Sequence, residues 1–437
     1  MNYAAFCGHI ATRLCVMGQD CWTRAATAAE IEAMCAMLDD ALAAGAMGLS
    51  SNFLDFDKYD RPLPSQLADD AELAALLGVL ARHEGATFQV IVDHFMRKTG
   101  NDAVERMGRL VAAAGVRMQW IGMPVIEYQA DQLPRAQELH RQFKQAGLDF
   151  YSSFLVISFT SVINFSRTLV FAQNGNPVWQ ELTDLGAWEA KSARLADPVW
   201  RASAREAWNN QFSHSYLNDP SALTFRESET GYGPTGITLA AYMQAEGISH
   251  ASDALAEWLL NNGQESVLLK KSWALDEDLV VDLLKDTHTL ANVSDSGAHG
   301  KLFCGAGYSV FVLTEFVRDR QLLSIEQGVH MLTGRHTEFF GLHDRGVIAV
   351  GKAADITVFN LDEIEMRAEK KIWDVPDGKS RTYRYIRDAA PMRLTLVNGI
   401  PTFERGEFTG RYPGAFIGPE IGEKGSEQAL ELAMSAN

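Results

Sequence analysis

An α/β fold built on a mostly parallel sheet is the fold class that this sequence predicts. In the first half of the chain, short apolar runs alternate with amphipathic helix patterns at a spacing of about 30 residues. The alternation breaks between about residues 160 and 235, and after Gly341 it gives way to short β runs. Both a (β/α)₈ barrel and a doubly wound sheet have this rhythm, so periodicity alone leaves the two architectures open.

The helix patterns of the first half begin at recognisable caps. Thr27 and Glu30 form a capping box, and the helix behind it stops at Gly45. Asp69 opens the next helix and Asn101 caps a third. Each pattern carries one apolar face at helical spacing, with the members Ile31, Met34, Leu38 and Leu42; Leu73, Leu76, Leu77 and Leu80; Val104, Met107, Leu110 and Val111; and Leu133, Ala136, Leu139 and Phe143.

Strand-like runs separate these helices. They lie at residues 46–51, 88–93, 116–121 and 150–157, and a final strand is expected at 290–295. The segment of about residues 160–235 is too long for an ordinary connection, and we interpret it as an insertion over the active face. No Gly-x-Gly-x-x-Gly run follows a strand and no P-loop is present, which argues against nucleotide binding.

Two domains are predicted. Residues 1–340 form the α/β domain with its insertion at about 160–235, and residues 341–437 form a β-rich C-terminal domain and tail. The short β runs of the second domain lie at 355–359, 393–397 and 401–404. Turns are predicted at Asn398-Gly399 and at Arg405-Gly406.

Composition excludes several classes of function. The formal net charge is -17, and a surface this acidic repels phosphate backbones, so nucleic acid is not an expected partner. Five cysteines without a Cys-x-x-Cys pair fit a reduced cytoplasmic setting. We see no signal peptide and no apolar run of membrane-spanning length, so no membrane association is expected.

Three residues stand where strands are predicted to end, which is where active-site side chains of parallel α/β proteins lie. Asp295 could bind a metal or move a proton to and from water, although a turn aspartate fits the same spacing. His94 follows the strand at 88–93 and is a candidate zinc ligand. His9 follows Gly8 at another expected strand end, where a structural histidine is the simpler interpretation.

Four runs of this sequence resemble the N-acyl-D-amino-acid deacylase, or D-aminoacylase, group of the amidohydrolase superfamily. Residues 45–51 resemble its Gly-Ala-Leu-Gly-Leu-Ser-Thr strand, and residues 290–299, Leu-Ala-Asn-Val-Ser-Asp-Ser-Gly-Ala-His, resemble its last barrel strand. Residues 340–359, with Gly-Lys-Ala-Ala-Asp at 351–355, are similar to the exit from the barrel, and Val397-Asn398-Gly399 to the closing hairpin. The resemblance covers residues 2–418.

The resemblance implies a (β/α)₈ barrel with a small β-sandwich side domain, and a bound zinc whose water attacks an amide carbonyl. Asp295 matches the catalytic aspartate, which moves the proton and also serves as a metal ligand. His94, followed by Met96-Arg97, resembles the group's His-Met-Arg ligand motif one residue out of step. His9, Ser50 and His299 are the residues expected to contact the substrate.

The sequence departs from the group's pattern in three ways. It begins at what resembles the third barrel strand, without the ligand motifs His-x-His and Gly-Asn-Cys-Gly. The strand expected to end in Ser-His-Leu-Lys instead reads Gln-Trp-Ile-Gly-Met at 119–123, and no substrate-clamping arginine is evident at 300–308. Residues 60–65, Asp-Arg-Pro-Leu-Pro-Ser, resemble a divergent branch of the group. We therefore expect an incomplete barrel of strands three to eight. Residues outside these 437, a partner chain or a second copy in a homo-oligomer would complete it.

Three functions compete. The leading one is hydrolysis of linear amides, above all deacylation of N-acyl-D-amino acids with Asp295 as general acid and base. The second is a non-catalytic subunit or pseudoenzyme that keeps the scaffold and binds a partner. The third is hydrolysis of cyclic imides or ureides, whose chemistry is close to the first.

Overall fold

The computed structural model describes residues 1–418, apart from Phe159, Arg167, 213–215, 292–293, Asp295, 297–299 and Lys379. Its first part alternates strands with helices. The strands are β1 (Cys7–Gly8), β2 (Gly48–Phe53), β3 (Thr87–Val92), β4 (Arg117–Ile121) and β5 (Phe150–Ser153). The helices are α1 (His9–Met17), α2 (Ala28–Ala43), α3 (Asp70–Leu80), α4 (Gly100–Ala114) and α5 (Leu133–Gln145), with short 3₁₀ turns at Gly18–Trp22, Pro64–Leu67 and Glu127–Gln129.

A mostly helical insertion follows β5. Its strands are β6 (Ser161–Asn164), β7 (Leu223–Glu227) and β8 (Val267–Lys270). Its helices are α6 (Val170–Gln173), α7 (Pro177–Asp184), α8 (Trp188–Ala196), α9 (Pro198–Asn210), α10 (Leu239–Glu246) and α11 (Ala251–Asn262), with a 3₁₀ turn at Pro220–Ala222. The three strands form an antiparallel sheet in the order β6-β8-β7, and a separate apolar core that includes Trp179, Trp200 and Trp258 fills the space beside it.

The chain then returns to the first layer and ends in β structure. The elements of the return are α12 (Glu277–Lys285), β9 (Thr289–Leu290), α13 (Tyr308–Phe311), a π-helical stretch (Val312–Asp319), α14 (Ile325–Leu332) and α15 (Gly334–Phe339). The C-terminal strands are β10 (Ile356–Val358), β11 (Glu369–Asp377), β12 (Ser380–Arg387), β13 (Leu394–Val397), β14 (Ile400–Glu404) and β15 (Glu407–Phe408). They form an antiparallel sheet, β10-β13-β14-β15, and a separate hairpin, β11-β12.

The main sheet has the order β1-β2-β3-β4-β5-β9, and every neighbouring pair in it is parallel. Its strands are joined through helices, as parallel pairing requires. With the separate antiparallel sheets, this arrangement agrees with the predicted fold class of an α/β barrel, incomplete in the described residues, with a β-rich side domain. No helix among the described residues is long and apolar enough to cross a membrane.

Alternation along the strands gives the sheet two different faces. Leu49, Phe88, Met118 and Phe150 stand side by side in register, are fully buried and pack against the helices. Ser50, Gln89, Gln119 and Tyr151 stand one residue further along and face the opposite way, into the concave side. The helix-facing layer is therefore apolar at this level, and the concave face is polar.

The predicted start of one helix is wrong, because α4 begins at Gly100, so Asn101 lies inside the helix and its side chain donates to the carbonyl of Gln132 instead of capping it. Other helix starts follow their local signals. Thr27 and Glu30 make the predicted capping box at the start of α2, and Ser324 makes a second with Gln327 at the start of α14. One strand is shorter than predicted, because β5 ends at Ser153 instead of continuing to residue 157. The amides of Gly122 and Met123 both donate to the carbonyl of Ser153, which closes the ladder between β4 and β5 at that point.

Candidate functional site: the carboxyl edge of the parallel sheet

Ligands of parallel α/β sheets bind at the edge where the strands end, so that edge is the candidate site here. Asp93 and His94 follow β3, and Gly122 follows β4. Asp295 and His299 follow β9 in the sequence and lie outside the described residues. Their predicted roles, as catalytic residue and metal ligand for Asp295 and as substrate contact for His299, remain predictions.

His94 is buried between the sheet and the start of α4. Its Nδ1 donates to the carbonyl of Gly122 at 2.9 Å, and its Nε2 lies 3.2 Å from Oδ1 of Asn101. A Cβ added to Gly100 would come within 2.8 Å of that Nε2, so the helix closes over this side of the ring. Burial lowers the pKa of His94 below its ordinary value, and the two hydrogen bonds only partly oppose this effect.

A histidine that binds zinc uses one ring nitrogen for the metal while the other donates to a neighbouring oxygen. Gly122 supplies that second-nitrogen contact for His94, but Nε2 faces Asn101 and Gly100 instead of the open edge. The ring also lies against Trp120, which is a helix-side residue of β4. The structure thus places His94 on the helix side of the sheet, and its role as a metal ligand remains a prediction.

Asp93 is as buried as its neighbour and shapes the loop after β3. Its carboxylate accepts hydrogen bonds from the backbone amides of Phe95, Met96 and Arg97, with distances of 2.9, 2.7 and 2.8 Å. Three such bonds use both carboxylate oxygens to hold a tight turn. The turn fixes Phe95, whose ring lies 5.6 Å from that of Trp273 in the segment after the insertion.

His9 lies in a fully buried polar network behind the sheet. Its Nδ1 is 2.8 Å from Oγ of Ser51, and its Nε2 is 2.8 Å from Oε1 of Glu72, which also pairs with Arg13. Burial raises the pKa of Glu72, but the hydrogen bonds from His9 and Arg13 outweigh this, so the net shift is downward. This network occupies the helix-facing side, and a substrate contact through His9 remains a prediction.

Ser50 lies on the concave face, opposite in direction to His9. It is in register with Gln89, whose Nε2 donates to Oε1 of Gln119 at 2.7 Å. Gln119 in turn donates to Oγ of Ser153 at 2.9 Å. The structure therefore does not bring Ser50 and His9 together, and it places Ser50 beside a row of uncharged polar side chains. Sequence reasoning missed this row, although polar residues at alternate positions of apolar strands were a visible signal.

The described residues do not form a zinc site. Within the described part of the chain, no group of three or more His, Cys, Asp or Glu side chains is placed to hold a metal ion. His94, the described residue predicted to bind metal, has both ring nitrogens next to protein oxygens.

Lys270 is a further residue at this edge that sequence reasoning missed. It ends β8, only 5% of its surface is exposed, and its Nζ lies 3.8 Å from the centre of the Trp273 ring. Burial lowers the pKa of Lys270 to about 7, and no charged neighbour contributes to that shift. The chain just beyond pairs with the loop after β4, through a bridge between Ile126 and Leu275, so Lys270 and Trp273 are tied to the carboxyl side of the sheet.

Comparison with known proteins connects this edge to a family. Residues 246–403, which include β9 and the Asp295 run, match the model of the amidohydrolase family. This part of the chain is therefore an amidohydrolase-family domain. An N-acyl-D-glutamate deacylase of Alcaligenes xylosoxydans xylosoxydans is 33% identical over 110 residues, which are 25% of this chain and 20% of that protein. An uncharacterized protein of Mycobacterium tuberculosis is 25% identical over 94% of this chain and 69% of its own length.

Two solved structures share the fold. A crystal structure of D-aminoacylase superposes with a TM-score of 0.58 at 21% identity, covering 96% of this chain and 72% of that one. The N-acyl-D-glutamate deacylase from Bordetella bronchiseptica, solved with zinc and a phosphonate inhibitor, gives a TM-score of 0.55 at 21% identity over 95% and 72% of the two chains. At this level of identity the likeness establishes the fold.

Proposed function

We propose that this protein hydrolyses the carbon–nitrogen bond of linear amides and that N-acyl-D-amino acids are its substrate class. The observation that carries the proposal is the Asp295 run, which follows β9 within the segment that matches the amidohydrolase family. The shared fold with D-aminoacylase and N-acyl-D-glutamate deacylase supports the choice of substrate class.

The role proposed for Asp295 is proton transfer. As general base it takes a proton from the attacking water, and as general acid it returns that proton to the leaving nitrogen. This role requires a water within hydrogen-bond reach of the carboxylate. The zinc of the Bordetella bronchiseptica enzyme belongs to that structure, and the described residues of this chain supply no site for such an ion.

The test is hydrolysis of an amide panel by the wild-type protein and by Asp295→Asn. The panel pairs N-acetyl-D-glutamate and N-acetyl-D-methionine with their L forms and adds the cyclic amides hydantoin and dihydroorotate. We expect release of the free D-amino acid, and a loss of about 10²–10⁴-fold in rate in Asp295→Asn, because a proton-transfer group is removed.

Asp278→Asn is the matched control, since Asp278 is an exposed aspartate in the first turn of α12. It should hydrolyse the panel at the wild-type rate. Turnover of the cyclic amides alone would move the assignment to the ring-opening class. Equal rates in wild type and Asp295→Asn would refute the proposed role of Asp295.

A non-catalytic subunit is the second candidate, and the placement of His94 favours it. Its ring lies behind the edge, between Gly122 and Asn101. A protein that hydrolyses no member of the panel, although it is folded, would support this candidate and contradict the enzyme.

A further inference from the structure

Lys270 is a buried amine without a counter-ion. Among the described residues no carboxylate pairs with it, and its one polar contact is the face of the Trp273 ring at 3.8 Å. A charged side chain taken out of water loses its hydration, and a single aromatic ring returns only part of that free energy. The position is therefore costly for the folded protein in the form described here.

Another lysine of the insertion is buried as well, but its ammonium group has hydrogen-bond partners. Lys191 in α8 is 2% exposed, and its Nζ donates to the carbonyls of Phe165, Ser166 and Thr183 at 2.7, 3.2 and 3.1 Å. These three acceptors match the three N–H bonds of an ammonium. Lys191 thus has the partners of a structural lysine, and Lys270 lacks them.

The surroundings of Lys270 connect it to the candidate site. Trp273 packs against Phe95, and the turn that holds Phe95 is built by Asp93 at the end of β3. The residues that follow Trp273 pair with the loop after β4, with the amide of Glu127 donating to the carbonyl of Ala274. The ring that the amine contacts therefore lies beside the loops that follow two neighbouring strands of the main sheet.

We propose that Lys270 and the ring of Trp273 form a binding subsite for a carboxylate group at the carboxyl edge of the sheet. The inference rests on the proposed function, because an N-acyl amino acid carries one carboxylate beside the amide that is cleaved. The subsite would hold that carboxylate, and Lys270 is a binding residue in this assignment, with no role in proton transfer to the amide.

The chemistry favours a carboxylate over a phosphate. The subsite offers one ammonium, held over the face of the Trp273 ring, which suits a group with a single negative charge. Phosphate binding sites gather several donors, typically an arginine fork or a row of backbone amides. A chain with a net charge of -17 also attracts a dianion less than a monoanion.

Binding should take up a proton. Because burial lowers the pKa of Lys270 to about 7, the empty amine is only partly charged at neutral pH. A bound carboxylate favours the ammonium form and draws a proton from the buffer. At pH 7 the uptake should approach about half a proton for each ligand bound.

The experiment is calorimetric titration of the full chain with N-acetylglycine at pH 7, in two buffers whose ionisation enthalpies differ. N-acetylglycinamide, which lacks the carboxylate, is the second probe. We expect N-acetylglycine to bind with proton uptake, and at least tenfold more tightly than the amide. Lys270→Met should lose this preference, and Lys270→Arg should keep it without proton uptake, because a guanidinium is charged in both states.

Lys271→Met is the matched control, since it removes an exposed lysine from the adjacent position. It should bind both probes as the wild type does. Equal affinity for the two probes, or unchanged binding of N-acetylglycine by Lys270→Met with a wild-type thermal unfolding curve, would overturn the subsite. Because binding is read without turnover, a catalytically inactive protein that still binds N-acetylglycine through Lys270 would refute the proposed function and leave the subsite standing.

Discussion

Buried charged groups behind the parallel sheet and at its carboxyl edge differ in the partners that surround them. Behind the sheet, Glu72 accepts hydrogen bonds from His9 and Arg13, and all three side chains are fully buried. At the edge, Lys270 is almost as buried, but among the described residues its partner is an aromatic ring. The first arrangement pairs each charge, which is the condition under which burial is tolerated. The second arrangement leaves the amine of Lys270 without an ion-pair partner, and in our proposal the carboxylate of a ligand takes that place.

Lys191 shows that the residue type does not cause this difference, because it is also a buried lysine. The same side chain, buried in the same insertion, is surrounded by three carbonyls. The lack of partners at Lys270 among the described residues is therefore a property of its location at the end of β8, next to Trp273. Substitutions at Glu72, Lys191 and Lys270 should separate structural charges from the one assigned to ligand binding.

Glu72→Gln should have the largest effect on stability. The neutral amide leaves the guanidinium of Arg13 buried without its ion-pair partner, and such a break costs about 3–5 kcal/mol of unfolding free energy. Denaturation in urea measures the loss. Glu32→Gln is the control, since Glu32 is an exposed glutamate of α2, and it should change stability by less than about 0.5 kcal/mol.

The Glu72 carboxylate also makes the stability of the protein fall at acid pH. The pKa of Glu72 lies below its ordinary value of 4.5, so its contribution to stability is complete above that pH and is lost as the pH falls through the lowered pKa. Glu72→Gln should therefore flatten the fall in stability below about pH 4.5. If the substitution leaves both stability and its acid dependence unchanged, the network behind the sheet is not the paired structural unit described here.

Lys191→Met should have the next largest effect. The thioether fills the space of the lysine stem but leaves the carbonyls of Phe165, Ser166 and Thr183 without their shared donor. Buried acceptors left unsatisfied cost about 1–3 kcal/mol. Lys271→Met, at an exposed position, should have almost no effect on the urea midpoint. A stability gain in Lys191→Met would show that this lysine is not a structural one.

Much of the fold could be predicted because local and tertiary signals agree in it. Thr27 and Asp69 begin helices where the sequence predicts them, and the apolar stripes of α2 to α5 face the core. The end of β5 could not be predicted, since Phe154 and Val156 are apolar and buried but lie beyond the last ladder hydrogen bond. These residues are apolar because they are buried, and the sequence therefore looked like a strand although they form no strand pairing.

The candidate site was less predictable, because side-chain direction depends on strand register. His94 follows a strand end, as predicted, yet it points to the helix side, where its Nε2 lies 3.2 Å from Oδ1 of Asn101 in α4. Ser50 and Ser51 are adjacent in sequence and face opposite sides of the sheet. Lys270 had no local signal, because its burial arises from contacts between the insertion and loops distant in sequence.

Lys270→Met should have an effect of opposite sign to the other two substitutions. Burial lowers the pKa of Lys270 to about 7 from 10.5, so the unfolded chain binds the proton more tightly and the folded protein bears a cost below pH 10.5. Methionine has no such cost, so the variant should be more stable than the wild type at neutral pH. The gain should shrink as the pH rises from 7 toward 10.5, where the unfolded lysine also becomes neutral.

Thermal unfolding of the wild type and of Lys270→Met across that pH range measures this gain, with Lys271→Met as the control that should show none. Adding N-acetylglycine should reverse the order at pH 7, because the ligand stabilises only a protein that binds it. A variant that is less stable than the wild type without ligand would mean that Lys270 already has a stabilising partner. In that case the contrast between the two buried lysines would fail, and the carboxylate subsite with it.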